Sequence, residues 1–246
     1  MKVLGSIILF SLIFGSMAKG QGLKEVIYQE KDQKLSGLIS SNAGKSLPAV
    51  LILPAWKGID QEAKDAAFDL EKEGYLVLIA DIYGVGNTPK DNAEAGKQST
   101  IFKRDFATYQ KRIQAGMDEL KKQGATKIAV IGYCFGGSGA LEAARGGLNV
   151  EGAVSIHGGL AKDPSRVMQP VKTKVLVLHP ADDASVSKAD YDGFVKEMDD
   201  AKADWQIITY ANSKHTFTNP ESPDYNEIMA KRAWKHTKMF LEEVLK

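Results

Sequence analysis

Short apolar runs alternate with amphipathic stretches along most of this chain. Runs that are apolar throughout predict strands buried on both faces of a sheet, and apolar residues at helical spacing predict helices between them. The predicted strands cover residues 48–53, 75–80, 127–131, 152–156, 174–178 and 205–210. The predicted helices cover residues 61–72, 101–123, 138–145, a segment capped by Ser187 with Asp190 three residues on, and 224–244. Residues 26–30 and 34–40 predict a β-hairpin.

This order of elements predicts an α/β fold. Buried strands that alternate with helices form a mostly parallel sheet covered on both faces, and the leading hairpin would add an antiparallel edge. In such sheets, ligands bind outside the carboxyl ends of the strands. We therefore expect the functional residues in the loops that follow the strands.

The beginning of the chain follows a different pattern. A lysine precedes an apolar run over 3–14, and small residues follow as far as Gly20. This is the order of regions in a secretory signal peptide, with cleavage after Ala18 or after Gly20. We predict that residues 1–20 are a signal peptide, that residues 21–246 form a single domain, and that the protein is exported, either periplasmic or secreted. The alternative is a buried N-terminal helix.

The composition is that of an ordinary globular chain, with 43% hydrophobic residues, 26% charged residues and a net charge of +1. A nearly neutral charge argues against nucleic acid or an anionic membrane as a partner. We expect no nucleic-acid partner, no membrane contact after removal of the signal peptide, and a monomer or weak dimer. The one cysteine, Cys134, can form no disulfide within the chain.

Cys134 lies in the sequence Gly-Tyr-Cys-Phe-Gly-Gly at 132–137, between a predicted strand and a predicted helix. Glycines two residues before and two residues after a nucleophile, at a strand-to-helix turn, are the pattern of a nucleophile elbow. The glycines are required because a Cβ at these positions would crowd the tight turn. The positive end of the helix favours a thiolate. The pattern predicts a catalytic cysteine; the alternative is a buried structural thiol.

A thiol nucleophile needs a base, and the base needs an acid that orients it. On this type of fold the acid and then the histidine follow the nucleophile in the chain. His215 and His236 both follow Cys134 with an acid between. His236 lies among lysines of the last predicted helix and is interpreted as a solvated surface residue, whereas His215 lies in the loop after the last strand. Asp182 and Asp183 both follow the preceding strand, and we favour Asp183 while Asp182 stays open.

These residues support one hypothesis for the chemistry. His215 takes the proton of Cys134, Asp183 orients the imidazole, and the thiolate attacks a carbonyl to form an acyl-enzyme that water then hydrolyses. The backbone N–H groups of Phe135 and of Trp56, in the loop after strand 48–53, would bind the oxyanion.

Three aromatic residues, Tyr83, Tyr133 and Phe217, are candidates for the wall of a substrate pocket, and core packing is an equal alternative. His157 and His179 end strands close to the predicted site. No carboxylate or thiol has metal-ligand spacing with them, so we predict no metal.

Three motifs together resemble those of the dienelactone hydrolase family. They are Gly-Tyr-Cys-Phe-Gly-Gly at 132–137, Ala-Asp-Asp-x-x-Val at 181–186 and His-x-Phe at 215–217. The resemblance covers nearly all of the chain after the predicted signal peptide. It implies an α/β-hydrolase fold, a triad of Cys134, Asp183 and His215, and hydrolysis of an ester or lactone without a cofactor.

The chain departs from the pattern of that family at two places. The characterised enzyme has a glutamate before the oxyanion-loop donor, which pairs with the resting cysteine, whereas this chain has Ala55. The family arginines that bind a substrate carboxylate align with Val85 and Asn219, and valine cannot replace a bidentate arginine. We therefore expect a neutral or differently charged ester rather than dienelactone. The alternatives are a thioesterase, a redox-sensing thiol, and a weak or inactive scaffold that binds a ligand or partner.

Overall fold

The computed structural model describes residues 22–167 and 169–246. The predicted signal peptide, residues 1–20, lies outside the described residues. Within the described part of the chain, one eight-stranded sheet is flanked by helices. No helix of these residues is both long enough and apolar enough to span a bilayer.

The strands and helices follow the predicted order. The strands are β1 (Lys24–Glu30), β2 (Gln33–Ile39), β3 (Leu47–Leu53), β4 (Leu76–Ile79), β5 (Ala125–Tyr133), β6 (Gly152–Ile156), β7 (Lys174–Pro180) and β8 (Trp205–Tyr210). The helices are α1 (Gln61–Lys72), α2 (Asn92–Arg104), α3 (Phe106–Lys122), α4 (Phe135–Arg145), α5 (Lys188–Asp200) and α6 (Glu227–Leu245).

The strands lie side by side in the order β1-β2-β4-β3-β5-β6-β7-β8. The hairpin strands β1 and β2 pair antiparallel, and β2 also pairs antiparallel with β4. All other neighbours are parallel. This arrangement confirms the predicted mostly parallel sheet with an antiparallel hairpin at its edge.

The two faces of the sheet are covered by different helices. Along β3, the side chains of Leu51 and Leu53 face the core formed with α3, α4 and α5, and those of Val50 and Ile52 face α1 and α6. All four are fully buried. This burial explains why the run is apolar throughout, since a strand covered on both faces has no solvent-facing position.

The helical segment predicted over 101–123 is in fact two helices, and the prediction of one helix beginning at Ile101 was wrong. Asp105 separates α2 from α3. Its carboxylate accepts the backbone N–H of Thr108 at 3.0 Å, so it caps α3 rather than continuing α2. The predicted cap of α5 is confirmed, because Ser187 and Asp190 form a reciprocal capping box.

Candidate active site

Cys134 occupies the sharp turn between β5 and α4. Its backbone has φ 52° and ψ −111°, a conformation that residues with a side chain rarely adopt. A Cβ on Gly132 would lie 2.0 Å from the carbonyl oxygen of Gly136, and a Cβ on Gly136 would lie 2.0 Å from that of Leu53. The turn therefore excludes every residue except glycine at both positions. This geometry confirms the elbow that the glycine spacing predicts.

The loops after β7 and β8 bring an aspartate and a histidine to the sulfur. Nε2 of His215 lies 3.1 Å from Sγ of Cys134, and Nδ1 of His215 lies 2.8 Å from a carboxylate oxygen of Asp183. The side chain of Asp183 is fully buried, whereas 28% of the His215 side chain is exposed. Asp182 is exposed, and its backbone N–H donates to the carbonyl of Ser213 at 2.9 Å. Of the two aspartates, Asp183 is the one that contacts the histidine.

The contact between His215 and Asp183 shifts their pKa values in opposite directions. Burial opposes protonation of His215, but its hydrogen bonds to Asp183 and Cys134 outweigh burial and raise its pKa to about 10. Burial would also raise the pKa of Asp183, but hydrogen bonds from His215 and Ser185 outweigh it and lower that pKa to about 2. The arrangement therefore favours a protonated imidazole between a carboxylate and a sulfur.

Ser185 is a member of the cluster that the sequence analysis missed. Its hydroxyl donates to Asp183 at 2.6 Å, and its backbone N–H donates to the same oxygen at 2.9 Å. The hydroxyl oxygen also lies 3.1 Å from Nδ1 of His215. The signal in the sequence was the Asp-x-Ser spacing, which is typical of a turn closed by an aspartate side chain.

His157, which the sequence places at a strand end close to the predicted site, contacts the backbone of Cys134, and it in turn contacts Thr218, which the sequence analysis missed. Nδ1 of His157 accepts the backbone N–H of Cys134 at 3.1 Å, and Nε2 lies 2.8 Å from the hydroxyl of Thr218. The Thr218 hydroxyl donates to Glu62 at 2.5 Å. His157 is 1% exposed, and burial together with the nearby His215 lowers its pKa to about 3. Burial raises the pKa of Glu62 to about 8.

Two tyrosines fix the residues predicted to bind an oxyanion. The hydroxyl of Tyr83 donates to the carbonyl of Trp56 at 2.7 Å, and that of Tyr109 donates to the carbonyl of Phe135 at 3.0 Å. The ring of Phe135 stacks between those of Tyr83 and Tyr109, with centroid distances of 5.8 and 4.7 Å. Phe135 begins α4, so its N–H has no acceptor inside the helix.

The structure separates the three predicted pocket residues. Tyr83 lines a cavity of about 130 Å³ next to the loop of Trp56. Tyr133 belongs to the opposite face of the sheet, where it lines a cavity of about 340 Å³ between α1 and α6. Phe217 is fully buried and stacks on Tyr210. Tyr83 and Tyr133 therefore line different cavities, and the role of these three residues in substrate binding stays a prediction.

The other two histidines lie apart from this cluster. His179 is buried near the ring of Tyr191, and Nδ1 of His236 is hydrogen-bonded to the hydroxyl of Tyr210 at 2.7 Å. His236 is thus partly exposed, as its position among lysines predicts, and one of its ring nitrogens is hydrogen-bonded to Tyr210. Residues 22–167 and 169–246 contain no group of three or more His, Cys, Asp or Glu side chains placed to bind a metal.

A larger cavity of about 570 Å³ lies along α4, on the side of the sheet that holds Ser185. Its lining includes Ser185, whose hydroxyl lies 3.1 Å from Nδ1 of His215, and Ser138, whose backbone N–H donates to the carbonyl of Cys134. Lys103 and Arg104, from the end of α2, line it as well. This cavity is large enough to accept a small organic molecule.

A family model described as the dienelactone hydrolase family matches residues 35–245. The chain belongs to the dienelactone hydrolase family. It is thus a hydrolase of this type, and the resemblance found in its motifs is confirmed.

Individual relatives agree with this assignment. A protein of Bradyrhizobium sp. named "Probable 2-oxo-3-(5-oxofuran-2-ylidene)propanoate lactonase" is 28% identical over 208 residues, which are 79% of this chain and 83% of that protein. The crystal structure of a dienelactone hydrolase-like promiscuous phosphotriesterase from metagenomic libraries has a TM-score of 0.83 and 29% identity, covering 92% of this chain and 100% of the other. A solved structure titled m3DLH has a TM-score of 0.85 and 27% identity, covering 92% and 99%. The α/β-hydrolase fold is therefore confirmed.

The two departures from the dienelactone hydrolase pattern are visible in the structure. Ala55 lines the small cavity near Tyr83, and the carboxylate that lines this cavity, Asp81, accepts the backbone N–H groups of Ser36 and Gly84. The Asp81 carboxylate is thus hydrogen-bonded to backbone N–H groups and does not replace the family glutamate. Val85 is exposed and supplies no cation.

Proposed function

We propose that this protein hydrolyses a small carboxylic ester or lactone through an acyl-enzyme on Cys134. The observation that carries the proposal is the continuous contact from the sulfur of Cys134 through His215 to Asp183, with distances of 3.1 and 2.8 Å. The raised pKa of His215 favours a thiolate–imidazolium pair at neutral pH. A thiolate is the nucleophilic form of cysteine, so the resting site is ready to react.

In the first half of the reaction, the thiolate of Cys134 attacks the carbonyl carbon of the substrate. The carbonyl electron pair moves onto oxygen, and the N–H groups of Phe135 and Trp56 stabilise this oxyanion. When the carbonyl reforms, the bond to the leaving oxygen breaks and the imidazolium of His215 gives that oxygen its proton. The products of this half are an alcohol, or an opened lactone chain, and a thioester.

In the second half, neutral His215 removes a proton from water as the water attacks the thioester. Collapse of the second tetrahedral intermediate releases a carboxylic acid and returns the thiolate. Asp183 keeps the imidazole in the required tautomer and stabilises the imidazolium in both halves. Because Ala55 replaces the family glutamate, activation of the resting cysteine falls to His215.

The substrate is expected to occupy the cavity of about 570 Å³ next to Ser185. Val85 and Asn219 supply no arginine for a dienelactone carboxylate, which favours a neutral or differently charged ester. The names of the relatives include a lactonase and a promiscuous phosphotriesterase. Both reactions expel an oxygen leaving group from an electrophilic centre, as the proposed ester hydrolysis does.

Turnover of p-nitrophenyl esters of increasing acyl length tests the proposal. Wild type is expected to release p-nitrophenol with a burst equal to the enzyme concentration, and Cys134→Ala is expected to show no burst. Thioesters of the same acyl chains separate an esterase from a thioesterase. No turnover of wild type above Cys134→Ala would leave the inactive, ligand-binding scaffold as the better description.

We also propose that the mature protein is exported, which is supported by the order of basic, apolar and small residues over 1–20. Expression of the full chain followed by N-terminal sequencing of the periplasmic or secreted fraction tests this. A mature chain that begins within a few residues of Lys19 or Gln21 agrees with the proposal, and an uncleaved Met1 in the cytoplasm contradicts it.

A further inference from the structure

A line of hydrogen bonds runs from the backbone of Cys134 to the carboxyl group of Glu62 in the first turn of α1. It passes from the Cys134 N–H to Nδ1 of His157 at 3.1 Å, from Nε2 of His157 to the Thr218 hydroxyl at 2.8 Å, and from that hydroxyl to Glu62 at 2.5 Å. None of the three side chains belongs to the proposed catalytic set. We call His157, Thr218 and Glu62 the relay.

The proton positions along the relay follow from its ends. Nδ1 of His157 receives the Cys134 N–H, so this nitrogen carries no proton and the ring is neutral with its proton on Nε2. The Nε2–H then donates to the oxygen of Thr218, whose own hydrogen goes to Glu62. A protonated His157 would direct an N–H at the N–H of Cys134. All hydrogen bonds of the relay can therefore form only when His157 is neutral and carries its proton on Nε2.

Cys134 and His157, the relay residue that contacts it, have unusual backbone conformations. Cys134 has φ 52° and His157 has φ 42°, both in the left-handed region that residues with a Cβ rarely occupy. The Cys134 N–H is shared between Nδ1 of His157 and the carbonyl of Ile156, at 3.1 and 3.0 Å. Such conformations persist only where surrounding contacts hold them. His157 is one of the contacts that hold the nucleophile turn.

The relay also reaches the loop that carries the proposed base. Thr218 follows His215 by three residues, and the rings of His157 and His215 meet edge to face with centroids 5.3 Å apart. His157 thus holds the backbone of Cys134, and Thr218 belongs to the loop that carries His215.

We propose that the relay is a positioning device that keeps Sγ of Cys134 within reach of Nε2 of His215. The inference rests on the proposed function, since the Cys134–His215 contact is the one it serves. The neutral state of His157 also leaves His215 as the single imidazolium next to the sulfur.

Thr218→Val and Thr218→Ser form a matched pair for the test. Valine has the shape of threonine without the hydroxyl, so it leaves Nε2 of His157 without an acceptor. We expect Thr218→Val to lower kcat about tenfold, the effect of one hydrogen bond of about average strength, with KM within twofold. Thr218→Ser keeps the hydroxyl and is expected to recover most of the kcat. If Thr218→Val does not fold, a second pair at Glu62 makes the same comparison of kcat. Glu62→Met removes the acceptor of the Thr218 hydroxyl, and Glu62→Gln keeps one.

The alkylation of Cys134 by iodoacetamide across pH provides a second readout that a merely structural role would not move. Cys134 is the one cysteine of the chain, so the whole signal belongs to it. We expect slower alkylation of Thr218→Val at pH 6, measured well below its melting temperature, because a loosened His215 loop leaves less thiolate. The titratable groups that face Cys134, His215 or the relay are His215, Asp183, His157, Glu62, Tyr83 and Tyr109.

The two readouts separate failure of the relay from failure of the proposed function. If wild type hydrolyses none of the esters, the alkylation profile still tests the relay. Equal kcat and equal alkylation profiles for wild type and folded Thr218→Val would overturn it. A Thr218→Ser variant as impaired as Thr218→Val would also overturn it, because the loss would then not come from the hydroxyl.

Discussion

The hydroxyl of Tyr83 donates a 2.7 Å hydrogen bond to the backbone carbonyl of Trp56, the residue whose N–H is proposed to bind the oxyanion. Tyr109 makes the equivalent contact with the carbonyl of Phe135 at 3.0 Å. Both proposed donors are thus fixed through their own carbonyls by a buried tyrosine. A donor stabilises a transition state best when it needs no rearrangement during the reaction.

Tyr83→Phe removes this anchor and keeps the ring that stacks on Phe135. We expect kcat to fall about tenfold because one hydrogen bond is lost and the Trp56 loop gains freedom, with a smaller change in KM. Steady-state kinetics on the best p-nitrophenyl ester measures both. Tyr109→Phe is the matched variant, and the double variant shows whether the two losses add. A Tyr83→Phe enzyme with wild-type kcat would show that the Tyr83 hydroxyl is not needed to position Trp56.

Asp183→Asn tests the orientation of His215. The amide NH₂ of asparagine would face Nδ1, so the imidazole would carry its proton on Nε2 and could not accept one from Cys134. We expect a loss of about 10³–10⁴ in kcat at an unchanged fold. Asp182→Asn is a matched control, because Asp182 is exposed and does not contact His215. Equal losses in the two variants would contradict the assignment of Asp183.

Ser185→Ala changes the acid limb of the pH profile. Burial raises the pKa of Asp183, whereas hydrogen bonds from His215 and Ser185 lower it to about 2. Loss of the hydroxyl therefore raises this pKa. Because Asp183 must be ionised to stabilise the imidazolium, kcat/KM of Ser185→Ala is expected to decline at a higher pH than that of wild type. Superimposable acid limbs of kcat/KM would show that the 2.6 Å contact has no role in the ionisation.

The strands and the nucleophile turn could be predicted because each depends on local sequence. The apolar runs at 152–156 and 205–210 have the bounds that the structure gives to β6 and β8. The break at Asp105 was missed because the residues of α2 are mostly polar and exposed, so they carry no strong periodic signal.

Contacts between distant residues were predicted only where the chemistry supplied a rule. The order of nucleophile, acid and histidine indicated Asp183 and His215 before their distances were known. No such rule points from His157 to Thr218, which are 61 positions apart. A histidine that ends a strand looks the same in sequence whether it satisfies the backbone of a nucleophile or that of any other loop.

Glu62 is expected to make the stability of the fold depend on pH. Burial raises its pKa from 4.5 to about 8, so the folded chain holds a proton that the unfolded chain releases above pH 4.5. Stability should therefore decrease as pH rises from 4.5 to 8. Glu62→Gln keeps an acceptor for the Thr218 hydroxyl and cannot ionise, so this decrease should be absent from the variant.

The free energy of unfolding in urea at pH 4.5, 6 and 8 measures the difference between Glu62→Gln and wild type. We expect the variant to gain on wild type with a slope of at most about 1.4 kcal/mol per pH unit, since one proton is involved. The values at pH 4.5 are the internal control, because Glu62 is neutral in the folded chain there and half protonated in the unfolded one. A constant difference at all three pH values would mean that the Glu62 carboxyl ionises in the folded protein as it does in the unfolded chain. The relay would then end in a Glu62 carboxylate at neutral pH.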